Sequence, residues 1–98
     1  MKLIAVSDRI IIRFTEVFPS PVPAGANWYT SQHCLGVVES IGPGEQEVRE
    51  GPIIETAPGL HVGDKVIYKG SGEDRLVVEV GVIYDMVRSY DIFAKVEA

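Results

Sequence analysis

Residues 8–14 read DRIIIRF, and their alternation decides the fold class. Ile10, Ile12 and Phe14 fall on one side of an extended chain, and Arg9 and Arg13 fall on the other. Ile11 breaks the polar side, which predicts partial burial there too. Directly afterwards, residues 15–35 (TEVFPSPVPAGANWYTSQHCL) follow neither a two-residue nor a 3.6-residue period. Pro19, Pro21 and Pro23 lack a backbone N–H and lock φ, which excludes a helix or a central strand through them. Gly25 and Asn27 add turn chemistry. A structureless loop of about 20 residues in a small domain usually serves a function. Trp28 and Tyr29 in such a loop suit a partner-binding anchor, because aromatic side chains dominate interface energetics. The competing reading folds them back over the core. The chain is expected to be a small β scaffold that presents residues 15–35 to a partner.

Working outward, residues 36–41 (GVVESI) predict a strand that Gly42-Pro43-Gly44 ends. Residues 45–59 are acidic and broken by Gly51, Pro52, Pro58 and Gly59. Val48, Ile53 and Ile54 fit a hairpin around Glu50-Gly51, and a solvated loop fits equally. In residues 60–68 (LHVGDKVIY) a Gly63-Asp64 turn leads into a strand with Val66 and Tyr68 on one face. Residues 69–74 read as a turn. Residues 75–80 (RLVVEV) predict Leu76, Val78 and Val80 inward and Arg75 and Glu79 outward. Residues 82–87 continue after Gly81, residues 88–91 turn, and residues 92–96 (IFAKV) close the set. Residues 2–6 are a short apolar segment, either a further strand or an edge.

Six or seven short strands and no helical period predict an all-β barrel or sandwich. A barrel hides its edges by closure. The two apolar chain ends remain edges that invite another chain.

At 98 residues the chain is read as one domain whose modest core favours oligomerisation. It is 46% hydrophobic and 23% charged, which predicts a globular chain. No apolar run reaches the roughly 20 residues of a membrane span, and the first residues carry no secretory h-region. A net charge of −5 argues against nucleic acid as a partner. The single cysteine, Cys34, forms no intrachain disulfide and fits a reducing, cytoplasmic setting.

Motifs for chemistry are weak. His33, Cys34, His61 and Asp64 lack the spacing of a four-ligand zinc site. Gly42-Pro43-Gly44 and Gly70-Ser71-Gly72 lack the residues that turn a glycine loop into a phosphate cradle. No serine sits in a nucleophile elbow. Glu45, Glu47, Glu50 and Glu55 do not follow calcium-loop spacing and read as a solvated face. The expectation is a non-enzyme without cofactor or metal.

Several stretches, taken together, resemble the 10 kDa co-chaperonins, the GroES-like family. Asp8-Arg9-Ile10-Ile11-Ile12 is similar to the family's early strand. Gly36-Val37-Val38 with Ile41-Gly42-Pro43-Gly44 resembles its G-x-V-x-x-V-G-x-G segment. Val62-Gly63-Asp64-Lys65-Val66 resembles its V-G-D-x-V turn, and Asp91-Ile92-Phe93-Ala94 with Val96-Glu97-Ala98 resembles its ending. The matches run in order at matching spacing.

The resemblance implies an irregular GroES-like β-barrel with a long mobile loop over residues 15–35 and a roof hairpin over residues 45–59. It implies a heptameric ring in which the first segment of one subunit pairs with the last strand of its neighbour. The interface residues would be Leu3, Ile4, Ile92, Phe93, Ala94 and Val96. It implies a lid that caps an ATP-charged, GroEL-like chaperonin and encloses unfolded client proteins. The lid itself holds no cofactor; the partner chaperonin uses the ATP. The family's loop docks through a hydrophobic tripeptide, which falls here near Pro23-Ala24-Gly25. Docking is therefore assigned to Val22, Ala24, Trp28 and Tyr29. A divergent or virus-encoded member matched to a particular chaperonin fits this departure. So does a ring-forming structural or adaptor protein that does not bind chaperonin. Residues 36–44 and 59–66 also resemble the catalytic domain of zinc-dependent alcohol dehydrogenases. No βαβ nucleotide-binding pattern and no matching zinc ligands accompany them.

Overall fold

In the computed structural model, which describes residues 2–18, 33–46, 51–70 and 74–97, the alternation of residues 8–14 becomes strand β1 (Ile10–Phe18). Ile10 and Ile12 are fully buried, and Ile11 is 4% exposed, as the break in the polar side predicted. β2 is His33–Ile41, β3 Glu45–Gln46, β4 Ile53–Ile54, β5 Lys65–Lys69, β6 Arg75–Glu79, β7 Val82–Val87 and β8 Ile92–Val96. The protein is all-β. Six strands form one antiparallel sheet in the order β6-β7-β1-β2-β5-β8, and β3 and β4 pair separately.

The core lies on one face of the sheet. Ile10, Ile12, Cys34, Val38, Val66, Tyr68 and Val87 form it, with Phe14, Ile41, Ala57, Leu60 and Ile92 packed against it. Each large side chain buried there contributes about 1.5–3 kcal/mol. β1 and β2 approach closely at Gly36, where a Cβ would sit 2.5 Å from Ile12 Cγ2 and 2.7 Å from the Arg13 carbonyl oxygen. No side chain larger than hydrogen fits there.

The hairpin reading of residues 45–59 holds: Glu45 pairs with Ile54 and Gln46 with Ile53. Gly44 starts it with φ +109, a backbone conformation L residues rarely adopt. Its base is fastened by Thr56, whose buried Oγ1 donates to the Gly42 carbonyl at 2.7 Å.

Four expectations need correction. The loop is shorter than residues 15–35, because Glu16 pairs with Leu35, Val17 with Cys34 and Phe18 with His33. The period is hidden there because β1 carries irregularities between Ile11 and Ile12 and between Phe14 and Glu16, and each bulge shifts the phase of alternation. Residues 2–6 form no strand within the chain; Ala5 alone is buried, and its N–H donates to Ser40 Oγ at 2.9 Å. Residues 75–80 bury no apolar face: Arg75 faces the core side, Leu76, Val77 and Val80 are 39%, 62% and 103% exposed, and only Val78 is half-buried. Finally, the sheet does not close on itself; β6 and β8 are its edges.

Candidate partner-binding surfaces

The docking residues assigned from sequence, Val22, Ala24, Trp28 and Tyr29, lie outside the described residues, whereas the base of their segment is described. β1 ends at Phe18 and β2 begins at His33, paired with each other. His33 pairs on its other side with Lys69 of β5. Its ring also meets Phe93 of β8 edge-on, centroids 4.9 Å apart. Thr15 Oγ1 donates to the Leu35 carbonyl at 2.8 Å. The segment therefore springs from paired strand ends, the β2 end held on both sides and the β1 end paired with β2 alone over Glu16–Phe18.

Beneath this base lies a polar cluster that the sequence reading missed. Asp85 on β7 is 1% exposed. Arg75 on β6 reaches it twice, Nε to Oδ1 at 2.8 Å and Nη2 to Oδ2 at 3.0 Å. The Tyr68 hydroxyl on β5 donates to the same carboxylate. Cys34 Sγ on β2 lies 4.0 Å from Arg75 Nη2, and the guanidinium lies over the Phe14 ring at 4.6 Å. Burial and the neighbouring carboxylate push the Tyr68 hydroxyl well above its ordinary pKa. The hydrogen bond to Asp85 pushes Arg75 up and keeps it charged. Burial and then Asp85 push the Cys34 thiol up, so it stays a protonated, unreactive thiol at neutral pH. The cluster ties four strands together at the base of the segment. The only signal in the sequence was an Asp in an otherwise apolar strand pattern, VIYDMV, with an Arg ten residues earlier.

The residues assigned to a subunit interface are split between the segment before β1 and edge strand β8. Ile4 is 72% exposed and Leu3 is half-buried. Leu3, Lys2, Glu39 and Tyr84 line one pocket. On edge strand β8, Phe93 is 54% exposed, Val96 is 38% exposed, Ala94 is exposed and Ile92 is half-buried against the core. β8 pairs with β5 on one side. The hairpin of β3 and β4 adds Ile53 and Ile54, both exposed.

The candidate metal ligands are separated. His33 contacts Phe93, Cys34 lies beside Arg75, and His61 and Asp64 share a turn. Among the described residues no three His, Cys, Asp or Glu side chains gather into a metal-binding group. Asp64 Oδ2 accepts the His61 N–H at 2.8 Å and lies 3.3 Å from Lys95 Nζ of β8. The backbone N–H and then Lys95 hold its carboxyl below the usual range. This explains the Gly63-Asp64 pair as a fastening of the turn into β5. No described helix is long and apolar enough to cross a membrane.

No protein-family model matches the chain, and no curated protein matches it.

Proposed function

We propose that the chain is a co-chaperonin, a subunit of a cytoplasmic ring that caps a GroEL-like chaperonin through one docking segment per subunit. The observation that carries this reading is apolar surface at both chain ends. Ile4 and Val6 are 72% and 67% exposed, and Phe93 on a free sheet edge is 54% exposed. Such edges invite pairing with another chain. The first segment of one copy against β8 of the next is a head-to-tail contact, which makes a ring where the rotation between copies closes. Supporting it, the resembling stretches fall on structural landmarks in order: residues 8–12 lead into β1, 36–44 span β2 and its turn, 62–66 lead into β5, and 91–94 open β8. The segment assigned to docking springs from paired strand ends, which suits a recognition loop carried on a rigid base.

The function follows from avidity. A single short segment binds weakly, whereas seven on one ring bind together firmly and still release stepwise. The chain performs no chemistry, and the chaperonin's ATP drives the cycle.

The test is mixing with a bacterial-type chaperonin, with and without ADP or ATP, followed by size exclusion with light scattering. A free mass of roughly 75 kDa, for seven subunits of 10.7 kDa, and nucleotide-dependent co-elution are expected. A monomer that never co-elutes would overturn the reading.

A second reading, a ring-forming adaptor that does not bind chaperonin, is favoured by one feature. Residues 22–25 read Val-Pro-Ala-Gly where the resembling family has a hydrophobic tripeptide. A ring of the expected mass that binds no chaperonin from any source would select it.

A further inference from the structure

Phe93 stands on the free edge proposed for the ring contact, and its place in β8 is irregular. Val96, Lys95 and Ala94 pair in turn with Lys65, Val66 and Ile67 of β5, and the next pair is Ile92 with Tyr68. Phe93 is therefore the extra residue of a bulge, a device that re-aims a side chain. β8 has β5 on one side and ends the sheet on the other, so backbone pairing by itself leaves this side chain unfixed. The ring is 54% exposed and meets the His33 ring edge-on, with centroids 4.9 Å apart and planes at 80°. The sheet order runs β2-β5-β8, so the strands that carry the two rings stand about 9–10 Å apart, two strand spacings. Both side chains lean over β5 to meet. His33 is the better anchored of the two, because it pairs with Phe18 of β1 on one side and with Lys69 of β5 on the other.

We infer that His33 is a positioning residue for the subunit contact: it holds the bulged Phe93 ring in the orientation that the first segment of a neighbouring copy meets. This rests on the ring reading given above. The direction of the effect follows from the anchoring. A side chain on a strand paired from both sides steadies one on a bulged edge, and not the reverse. An edge-to-face pair of aromatic rings adds attraction beyond the area it buries. Association that must immobilise a loose phenylalanine side chain loses affinity, and a ring already held avoids a loss of roughly two- to twelve-fold per contact. A closed ring repeats the same contact between every pair of neighbours, so the gain recurs at each. His33 also opens β2 directly after the segment assigned to docking. One residue thus closes the base of that segment and steadies the edge where the next copy binds.

The test uses the full chain without chaperonin. Light scattering over a dilution series gives the concentration at which assemblies fall apart into monomers. His33→Ala should raise that concentration at least about threefold. His33→Phe, which restores an aromatic pair, should return it to within about twofold of the natural chain. In a Phe93→Leu background the two His33 variants should differ by less than about twofold, because the ring they act through is gone. Leucine keeps the position apolar, so assembly stays measurable. Urea midpoints of the dissociated chains are read beside these values. A His33→Ala chain with a lower midpoint and unchanged association has lost a structural contact only, which overturns the inference. So does a loss that persists undiminished in the Phe93→Leu background, or one that His33→Phe fails to restore. A natural chain that is monomeric at every concentration overturns the ring reading and this inference with it. A natural chain that assembles but is indifferent to His33→Ala overturns the positioning role alone.

Discussion

Arg75 and Asp85 face each other across the β6–β7 hairpin, the guanidinium Nε 2.8 Å from Oδ1 and Nη2 3.0 Å from Oδ2. The carboxylate is almost wholly buried while the guanidinium is one-third exposed. The pair, joined by the Tyr68 hydroxyl, draws the Arg75 side chain of β6 inward. It also lies beneath the base of the proposed docking segment.

Removing the carboxylate should therefore be costly. Asp85→Ala leaves the Tyr68 hydroxyl and one side of Arg75 without their acceptor, and breaking a buried pair from one side costs about 3–5 kcal/mol. Urea denaturation at a fixed protein concentration checks this. A loss under about 1 kcal/mol would mean that the pair behaves like a surface ion pair. A cycle with Arg75→Met should show coupling between the two sites.

The buried hydroxyl and thiol predict an alkaline weakness. Tyr68 and Cys34 both have pKa values raised in the folded state, by burial first and Asp85 second. The unfolded chain therefore releases these protons at lower pH than the folded one. Their contribution is whole below the unfolded values, about 8.5 for Cys and 10 for Tyr, and is lost as pH rises past them. Urea midpoints should be level near neutrality and fall between about pH 9 and pH 11. Tyr68→Phe should start from lower stability and fall less steeply. An unchanged slope in that variant would remove Tyr68 as a cause.

Glycines with similar backbone angles should differ in cost. Gly44 has φ +109, and a Cβ there would run into the Ile54 carbonyl. Gly81 has φ +83 with nothing within 4 Å of its Cβ position. Gly81→Ala should cost about 1–2 kcal/mol for the left-handed backbone alone. Gly44→Ala should cost more and separate β3 from β4. Thermal unfolding of both variants compares them directly; equal losses would mean the carbonyl can give way.

The proposed ring contact is tested by charge, not by truncation. Removing residues 91–98 would delete β8, which pairs with β5 and packs Ile92 on the core, and so would unfold the chain. Ile4→Glu and Phe93→Glu change exposed side chains instead. Each should lower the mass measured by light scattering toward 10.7 kDa while leaving the circular dichroism spectrum unchanged. A ring that survives both substitutions needs a different interface.

Trp28 is the only tryptophan and sits in the segment assigned to docking, so its fluorescence reports on that segment alone. Adding chaperonin with nucleotide should shift the emission to the blue, and Trp28→Ala should weaken co-elution at least tenfold, about the effect of a hot-spot aromatic. Emission already blue in the free protein and indifferent to chaperonin would favour an indole folded over the core.

The strand pattern was readable wherever alternation ran without interruption. Val66 and Tyr68, predicted on one face, are both fully buried. It failed at bulges and at the buried charge. Thr15 to Phe18 belong to β1, but a phase shift hides the period. In residues 75–80 alternation put Leu76, Val78 and Val80 inward, yet only Val78 is half-buried. The apolar side looked like the inner one until Asp85 on β7 drew Arg75 to the core. The four members of that cluster are 34, 68, 75 and 85, too far apart in the chain for any local pattern to join them.

What the amino-acid sequence determined by itself was local: strands where apolar side chains alternate, turns where glycine, proline and aspartate permit them, and an all-β class from the absence of a helical period. These depend on neighbours one to four residues away. The tertiary structure alone decided that Arg75 turns inward, which strands became sheet edges, and how a buried carboxylate is satisfied. Those outcomes come from pairing between distant residues, where leaving one charge unmatched in the interior costs more than exposing several valines.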